Sequence, residues 1–244
     1  STVRPLTRFV IDPRTPDLMY VGYACDIESP GGILRSSDAG ASWEEISLGN
    51  LCVYALEMHR ELPEILFAGT SHGIRRSTDH GLSWSLVGPP GIVVWDLSGD
   101  VRVDETFYAA TANDRTYRSI DRGLSWQQYG GNAIPTQVNA IEGMSPIDGV
   151  LAGTANGVWR NTGSGWQPLP PEEQPTIPTI STILAVPELA RSLVGTWGNG
   201  IWDYPSDPSA APSPAVPSIG LRVLGSPSGG PFRILATRPE ADAL

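Results

Sequence analysis

A nine-residue pattern recurs three times along the 244-residue chain at almost constant spacing. The three copies occupy residues 35–43 (RSSDAGASW), 76–84 (RSTDHGLSW) and 118–126 (RSIDRGLSW), and their aspartates lie 41 and 42 residues apart. A fourth copy at 160–166 (RNTGSGW) is two residues shorter and has no aspartate. A fixed period of this length indicates repeated structural units, each of which packs against the next.

Short apolar segments repeat with the same period as the motif. They fall at residues 19–23, 66–70, 107–111, 150–154 and 193–196, and a second set begins at 32, 73, 115, 157 and 200. Each unit contains four β-type segments separated by turn residues, and helical periodicity is missing. Four antiparallel strands every 41–43 residues predict an all-β chain, a β-propeller of about five four-stranded blades.

The two ends of the repeat region leave two interpretations open. We expect residues 1–204 to form the propeller, 205–217 (PSDPSAAPSPAVP) to be a linker and 218–244 to form a short β tail. The fifth unit has no recognisable fourth strand, and residues 2–4 stand where an outer strand could complete it. A ring closed in this way is favoured because it removes open sheet edges. The alternative is a fragment of a larger propeller whose further blades precede Ser1.

Composition excludes several classes of function. The net charge is −10 and all 16 basic residues are arginine, which argues against nucleic acid as a partner and against anionic membranes. The absence of lysine excludes Schiff-base and P-loop lysine chemistry. No apolar run is long enough for membrane insertion. The histidines His59 and His80 have no ligand cluster around them, so we expect no metal site and no cofactor.

The motif Ser-x-Asp-x-Gly-x-Ser/Thr-Trp resembles the Asp-box, or BNR, repeat. This repeat occurs in sialidases, family 74 xyloglucanases, sortilin-type receptor domains and Ycf48-like photosystem assembly factors. We expect its aspartates and glycines to hold the turn between the third and fourth strands of a blade, and its tryptophans to pack between blades. A residue needed in every blade has a structural role, and the residues in this role are Asp38, Gly40, Trp43, Asp79, Gly81, Trp84, Asp121, Gly123, Trp126 and Trp166. The tail from 218 is similar to the start of a FlgD-type Ig-like sorting domain, which implies export.

Propeller topology separates candidate binding residues from structural ones. The connections between strands two and three, and between strand four and the next strand one, are expected on the upper face, where propellers usually bind their ligands. Upper-face residues that differ between units are Arg8, Tyr54, His72, Trp95, Asp96, Arg115, Asn139, Trp197 and Asn199. The aromatic residues could stack on sugar rings. The alternative is that Tyr54 and Trp95 only fill the channel.

The two cysteines, Cys25 and Cys52, fall on the upper face of adjacent units. We expect them to form a disulfide, which would suit a secreted, periplasmic or cell-surface protein; two separate thiols are the alternative. High arginine content without lysine also suggests a bacterial source with a GC-rich genome.

The sequence favours binding over catalysis. A sialidase-like site needs three arginines around a carboxylate, and the upper face offers only Arg8 and Arg115. A family 74-like glycosidase needs two carboxylates, for which Asp26, Asp96 and Asp114 are weak candidates. We therefore expect a non-catalytic secreted or cell-surface propeller that binds a protein or glycan through its upper face. Glycoside hydrolysis by paired carboxylates at the channel mouth is the alternative.

Overall fold

The computed structural model describes residues 6–26, 30–100, 102–131, 134–145, 149–171, 174–175, 179–186, 191–197, 200–205, 213–214, 220–224 and 233–237. These residues form five four-stranded antiparallel sheets arranged as the blades of a ring, together with one separate hairpin. The repeat period thus predicted the five-bladed β-propeller correctly. No helix among the described residues has the length and apolar character needed to cross a membrane.

Each blade is built from four consecutive strands, numbered from the channel outwards. The strands of blades 1 and 2 are β1 (Leu6–Ile11), β2 (Met19–Tyr23), β3 (Gly32–Ser36), β4 (Glu44–Ile46), β5 (Val53–Met58), β6 (Leu66–Thr70), β7 (Gly73–Ser77) and β8 (Ser85–Leu86). Those of blades 3 and 4 are β9 (Val94–Gly99), β10 (Phe107–Thr111), β11 (Thr116–Ser119), β12 (Gln127–Tyr129), β13 (Val138–Ser145), β14 (Gly149–Thr154), β15 (Gly157–Asn161) and β16 (Trp166–Pro168). Blade 5 contains β17 (Ile180–Val186), β18 (Arg191–Thr196), β19 (Ile201–Pro205) and β20 (Ser213–Pro214), and the hairpin joins β21 (Gly220–Leu224) to β22 (Arg233–Thr237).

The fourth strand of blade 5 comes from downstream of β19. Ser213 pairs with Asp203 and Pro214 with Trp202, so this outer strand lies inside the segment expected to be a linker. Residues 2–4, which were expected to supply it, lie outside the described residues. Proline is tolerated here because an outer edge strand needs no donor on its free side.

Four apolar clusters fill the spaces between successive blades. Between blades 2 and 3, Phe67 and Ile74 pack against Val94 and Leu97, whereas Leu66 of the same strand packs towards blade 1. Successive side chains of a strand point to opposite faces, so each blade supplies two interfaces at once. The second strands of blades 2, 3 and 4 are buried along their whole length for this reason, which explains their continuous apolar character.

The recurring motif closes a turn between the third and fourth strands by side-chain hydrogen bonds. In blade 2, Asp79 Oδ1 accepts from Ser77 Oγ (2.7 Å) and from the backbone N–H of Ser83 (2.9 Å), and Asp79 Oδ2 accepts from Ser83 Oγ (2.6 Å). Blades 1 and 3 repeat these bonds at Asp38 and Asp121. The bonds donated by Ser83 hold the pKa of Asp79 down at about 2. The same arrangement lowers the pKa of Asp38 to about 2.

Replacing Asp79 by alanine should lower the thermal unfolding midpoint by several degrees, because the donors of Ser77 and Ser83 lose their acceptor. Differential scanning calorimetry would measure the shift. Thr78→Ala is the matched control, since Thr78 is exposed and lies between Ser77 and Asp79 in the same turn. Equal unfolding midpoints for the two variants would show that the hydrogen bonds of Asp79 in this turn do not stabilise the folded protein.

A disulfide joins blades 1 and 2 on the upper face. Cys25 follows β2 and Cys52 precedes β5, and their Cα atoms lie 4.8 Å apart across a sequence separation of 27. Residues 25–52 include the third and fourth strands of blade 1. The bond therefore ties the connection after β2 to the start of the next blade.

Replacing both cysteines by serine should lower the free energy of unfolding by about 3 kcal/mol, from the loop entropy that the bond removes in the unfolded chain. Urea titration of the double variant beside the oxidised protein would measure it. Equal free energies of unfolding for the two proteins would show that the disulfide does not reduce the conformational entropy of the unfolded chain.

Candidate functional site

Within the described part of the chain, the inner strand of every blade has one edge with no strand partner, because β1, β5, β9, β13 and β17 each end their sheet. Unpaired N–H and C=O groups on such an edge need other partners. Three acids supply them: Glu57 Oε1 accepts from Gly99 N (3.2 Å), Asp96 Oδ2 from Ile141 N (3.0 Å) and Glu142 Oε1 from Ala185 N (3.2 Å). Each acid thus fastens its own blade to the inner strand of the next blade.

Two further contacts link these acids to other blades. Arg8 of blade 1 forms an ion pair with Asp96 of blade 3, whose residue is only 5% exposed. Ser98 Oγ donates to Glu142 Oε2 (2.9 Å). We call Arg8, Glu57, Asp96, Ser98 and Glu142 the channel cluster. It brings three carboxyl groups and one guanidinium together; Asp96 is buried, Glu57 and Glu142 are half-buried, and the Arg8 side chain is partly exposed. Charges in such a partly desolvated place interact more strongly than in bulk solvent.

Burial dominates the protonation of the channel cluster. It raises the pKa of Glu57 to about 7 and that of Glu142 to about 8. The hydrogen bonds that the two carboxyl groups accept from backbone N–H groups lower both pKa values, but by less than burial raises them. Burial also raises the pKa of Asp96, opposed by the charge of Arg8. The partial desolvation of the cluster thus favours the protonated forms of Glu57 and Glu142 over their charged forms.

An open cavity of about 280 Å³ lies at the channel mouth. Its six lining residues, which we call the mouth pocket, are Tyr54, Trp95, Gln137, Asn139, Ser181 and Trp197. Four of these residues are the second residues of inner strands in blades 2, 3, 4 and 5. Equivalent positions around the ring thus converge on one pocket, as the propeller symmetry requires.

Aromatic rings form the walls of the mouth pocket. The ring centroids of Tyr54 and Trp95 lie 4.6 Å apart with a 57° angle between the planes. Trp197 is 71% exposed, and its backbone N–H is held by Thr179 O (3.0 Å). The indole N–H of Trp95 is buried and has no hydrogen-bond partner among the described residues. A large exposed tryptophan that lines a pocket is typical of a binding surface.

The polar side of the pocket is already ordered. Gln137 Nε2 donates to Asn139 Oδ1 (3.0 Å), Asn139 Nδ2 donates to Ile180 O (3.1 Å), and Ser181 Oγ donates to Gly195 O (3.1 Å). None of the six lining residues carries a formal charge at neutral pH. The pocket therefore suits a neutral ligand with both apolar faces and hydrogen-bonding groups.

The structure brings together some of the residues expected from the sequence and separates others. Tyr54, Trp95, Asn139 and Trp197 meet in the mouth pocket, and Arg8 and Asp96 meet in the channel cluster. His72 instead contacts Ser71 Oγ through Nδ1 (3.1 Å), and Arg115 donates to Gln128 Oε1 (3.4 Å). Asn199 lies outside the described residues.

The weak catalytic candidates do not share a site. Asp114 occupies a turn with φ of 59° between β10 and β11, and Asp26 is exposed after β2. Neither lines the mouth pocket. The sequence analysis did not identify Glu57 or Glu142 as site residues. The pattern that could have revealed them is a glutamate within a short apolar segment that forms an inner strand.

No protein-family model matches the chain, and no curated protein matches it. Among solved structures, it is similar to a GH74 enzyme of Niastella koreensis (TM-score 0.64, 17% identity), covering 82% of this chain and 36% of that one. YCF48 bound to D1 peptide gives a TM-score of 0.60 at 16% identity, over 87% of this chain and 66% of that one. The extracellular domain of BT4673 from B. thetaiotaomicron gives 0.62 at 15% identity, over 84% and 27%.

These similarities show the propeller fold alone. The chain spans between about a quarter and two thirds of the length of these three structures. The neighbours include enzymes and proteins of other kinds, so the activity has to be argued from the site itself.

The channel cluster should make stability fall as pH rises from 4.5 to about 8. In that range the folded chain keeps protons on Glu57 and Glu142 that the unfolded chain has lost, so deprotonation favours unfolding. Below pH 3.8 the low pKa of Asp79, about 2, reverses the trend, because there the unfolded chain binds more protons. Urea unfolding at a series of pH values should therefore show a maximum near pH 4–5.

The variant Glu142→Gln should flatten the decline on the alkaline side. Asp17→Asn, at an exposed loop position, is the control and should leave the profile unchanged. An unchanged slope in Glu142→Gln would rule out the buried glutamate as the cause.

Proposed function

We propose that this chain is a non-catalytic binding propeller whose mouth pocket holds a neutral sugar unit of a glycan. The supporting observation is the lining of the pocket, which combines three aromatic side chains with two amides and a hydroxyl and contains no charged group. The apolar faces of sugar rings pack on aromatic rings, and sugar hydroxyls exchange hydrogen bonds with amides.

The arrangement of donors supports a hydroxylated ligand. The bond between Gln137 and Asn139 fixes both amides in advance, which reduces the ordering cost of binding.

A protein partner is the other form of the same proposal. YCF48, one of the structural neighbours, was solved with a bound peptide. An aromatic or proline side chain of a peptide would fit between Tyr54 and Trp197 without needing a charge from the pocket. A sugar is favoured because it also uses the amide side.

Glycoside hydrolysis is the alternative function, favoured by the raised pKa of Glu142, which suits a general acid, and by the GH74 neighbour. Two observations weigh against it. The carboxyl groups of the channel cluster accept N–H bonds from the inner strands, and Asp96 is paired with Arg8. None of the residues that line the mouth pocket is an acid.

We also propose that the chain works outside the reducing cytoplasm. The Cys25–Cys52 disulfide supports this location, since such bonds persist in oxidising compartments. One structural neighbour is itself an extracellular domain.

Replacing Trp197 by alanine should weaken binding of cellotetraose, a neutral β-glucan fragment, by about tenfold, because one aromatic wall is lost. Isothermal titration calorimetry would measure it. The charged sugar sialyllactose should bind poorly, since the pocket offers its carboxylate no cation. Trp43→Ala is the matched control, because Trp43 is an exposed tryptophan on the lower face.

Loss of affinity in Trp43→Ala equal to that in Trp197→Ala would contradict the mouth pocket as the site. Absence of binding by neutral glycans, with binding of a peptide that depends on Trp197, would replace the glycan by a protein partner.

A further inference from the structure

The seams between the first three blades are closed on the lower face by a repeated contact. Tyr20 of blade 1 donates its hydroxyl to His80 O in the turn of blade 2 (2.9 Å). Arg76 of blade 2 donates its Nε–H to Arg122 O in the turn of blade 3 (2.9 Å). His80 and Arg122 hold the same place in their turns, just before the motif glycine, with φ of 55° and 58°.

The motif glycines lie directly against rings of the preceding blade. A Cβ added at Gly81 would approach Tyr20 Cε1 to 3.0 Å, and one added at Gly123 would approach Phe67 Cε1 to 2.0 Å. These turns therefore fill the seams between blades 1 and 2 and between blades 2 and 3.

Among the described residues, the seam between blades 3 and 4 lacks this contact. The turn of blade 4 at 161–165 (NTGSG) is two residues shorter than its counterpart at 119–125 (SIDRGLS). Tyr108, which is equivalent to Tyr20, donates instead to Asp100 Oδ2 of its own blade (3.2 Å). Arg118 lies over the ring of Tyr129, with Cζ 5.0 Å from the centroid, and forms no hydrogen bond or ion pair within the described residues.

A cleft of about 290 Å³ remains where the missing part of the turn would lie. Its walls include Asp100, Tyr108, Arg118, Tyr129, Val150 and Asn161. The cleft opens on the lower face, opposite to the mouth pocket, and its volume is near the roughly 300 Å³ at which small-molecule pockets begin.

In this cleft, which we call the seam cleft, the polar groups without a partner among the described residues are hydrogen-bond donors. Asn161 is 1% exposed, and its Oδ1 accepts from Gly163 N (2.8 Å) and Gly165 N (3.3 Å), which fixes the orientation of the amide. Its Nδ2 is buried with no partner in the described chain. The acidic wall is already satisfied, because Asp100 accepts from Arg102 N (2.9 Å), Val103 N (3.2 Å) and the hydroxyl of Tyr108.

We propose that the seam cleft is a second ligand site, which binds a small planar carboxylate. The guanidinium of Arg118 can donate two parallel N–H bonds to a carboxylate. Tyr108, Tyr129 and Val150 supply apolar surface for the planar part of the ligand. The ligand would take the place of the backbone carbonyl that closes the seams between blades 1 and 2 and between blades 2 and 3, and its carboxylate is an acceptor of greater charge.

The first experiment titrates the full ¹⁵N-labelled chain with benzoate and follows its nitrogen-bound protons by NMR. The reporters are the side-chain amide of Asn161 and the indole N–H of Trp166, which donates to Thr116 beside the cleft (3.0 Å). The indole of Trp84 is the remote reference. We expect saturable shifts with a dissociation constant on the order of 1 mM. Benzyl alcohol, which keeps the ring and lacks the charge, should bind at least about tenfold more weakly.

Two variants test the assignment. Arg118→Gln should weaken benzoate binding by about tenfold or more, whereas Arg115→Gln, which makes the same charge change on the upper face of the same blade, should not. Replacing residues 161–165 by the seven residues of 119–125 restores the longer turn, and it should abolish benzoate binding by filling the seam. Should the grafted chain fail to fold, Arg118→Gln decides alone.

Three results would overturn the proposal. One is the absence of shifts at Asn161 and Trp166 with benzoate on the order of 10 mM. Another is equal loss of affinity in Arg118→Gln and Arg115→Gln. The third is a benzoate response confined to Trp197 of the mouth pocket.

Discussion

The open inner edge of each blade is the constraint on which this propeller depends. Each unmet backbone group along these edges would cost roughly 1–3 kcal/mol. The chain meets them with side chains of the neighbouring inner strand, chiefly Glu57, Asp96 and Glu142. The same bonds that satisfy the edges hold the blades in register around the channel. Their consequence is a set of buried carboxyl groups whose protonation is linked to folding.

This use of the carboxyl groups also directs where ligands bind. Acids that are committed to strand edges and to Arg8 have little freedom to act on a substrate. Binding is left to places where side chains are not needed for closure. The mouth pocket is one, since it lies above the channel cluster on the second residues of the inner strands. The seam cleft is the other, since the short turn of blade 4 leaves its neighbour without the usual contact.

The sequence predicted the architecture because the same motif and the same strand pattern recur in successive blades. The spacing of the motif was enough to place the blades, and the rule that upper-face residues vary between units selected Tyr54, Trp95 and Trp197, which line one pocket in the structure. The outer strand at Ser213–Pro214 could not be predicted, because two residues of a proline-rich segment carry no strand pattern. The seam cleft was equally hidden, since the short fourth motif is visible in the sequence but its effect depends on Tyr108 and Arg118 of the preceding blade.

Release of reducing ends from neutral β-glucans is the measurement that tests the central claim most directly, because binding without catalysis and hydrolysis make opposite predictions. The purified chain should be retained on an immobilised β-glucan and should generate no new reducing ends during prolonged incubation. Release that disappears in Asp96→Asn or Glu142→Gln would contradict the account and assign the channel cluster to catalysis.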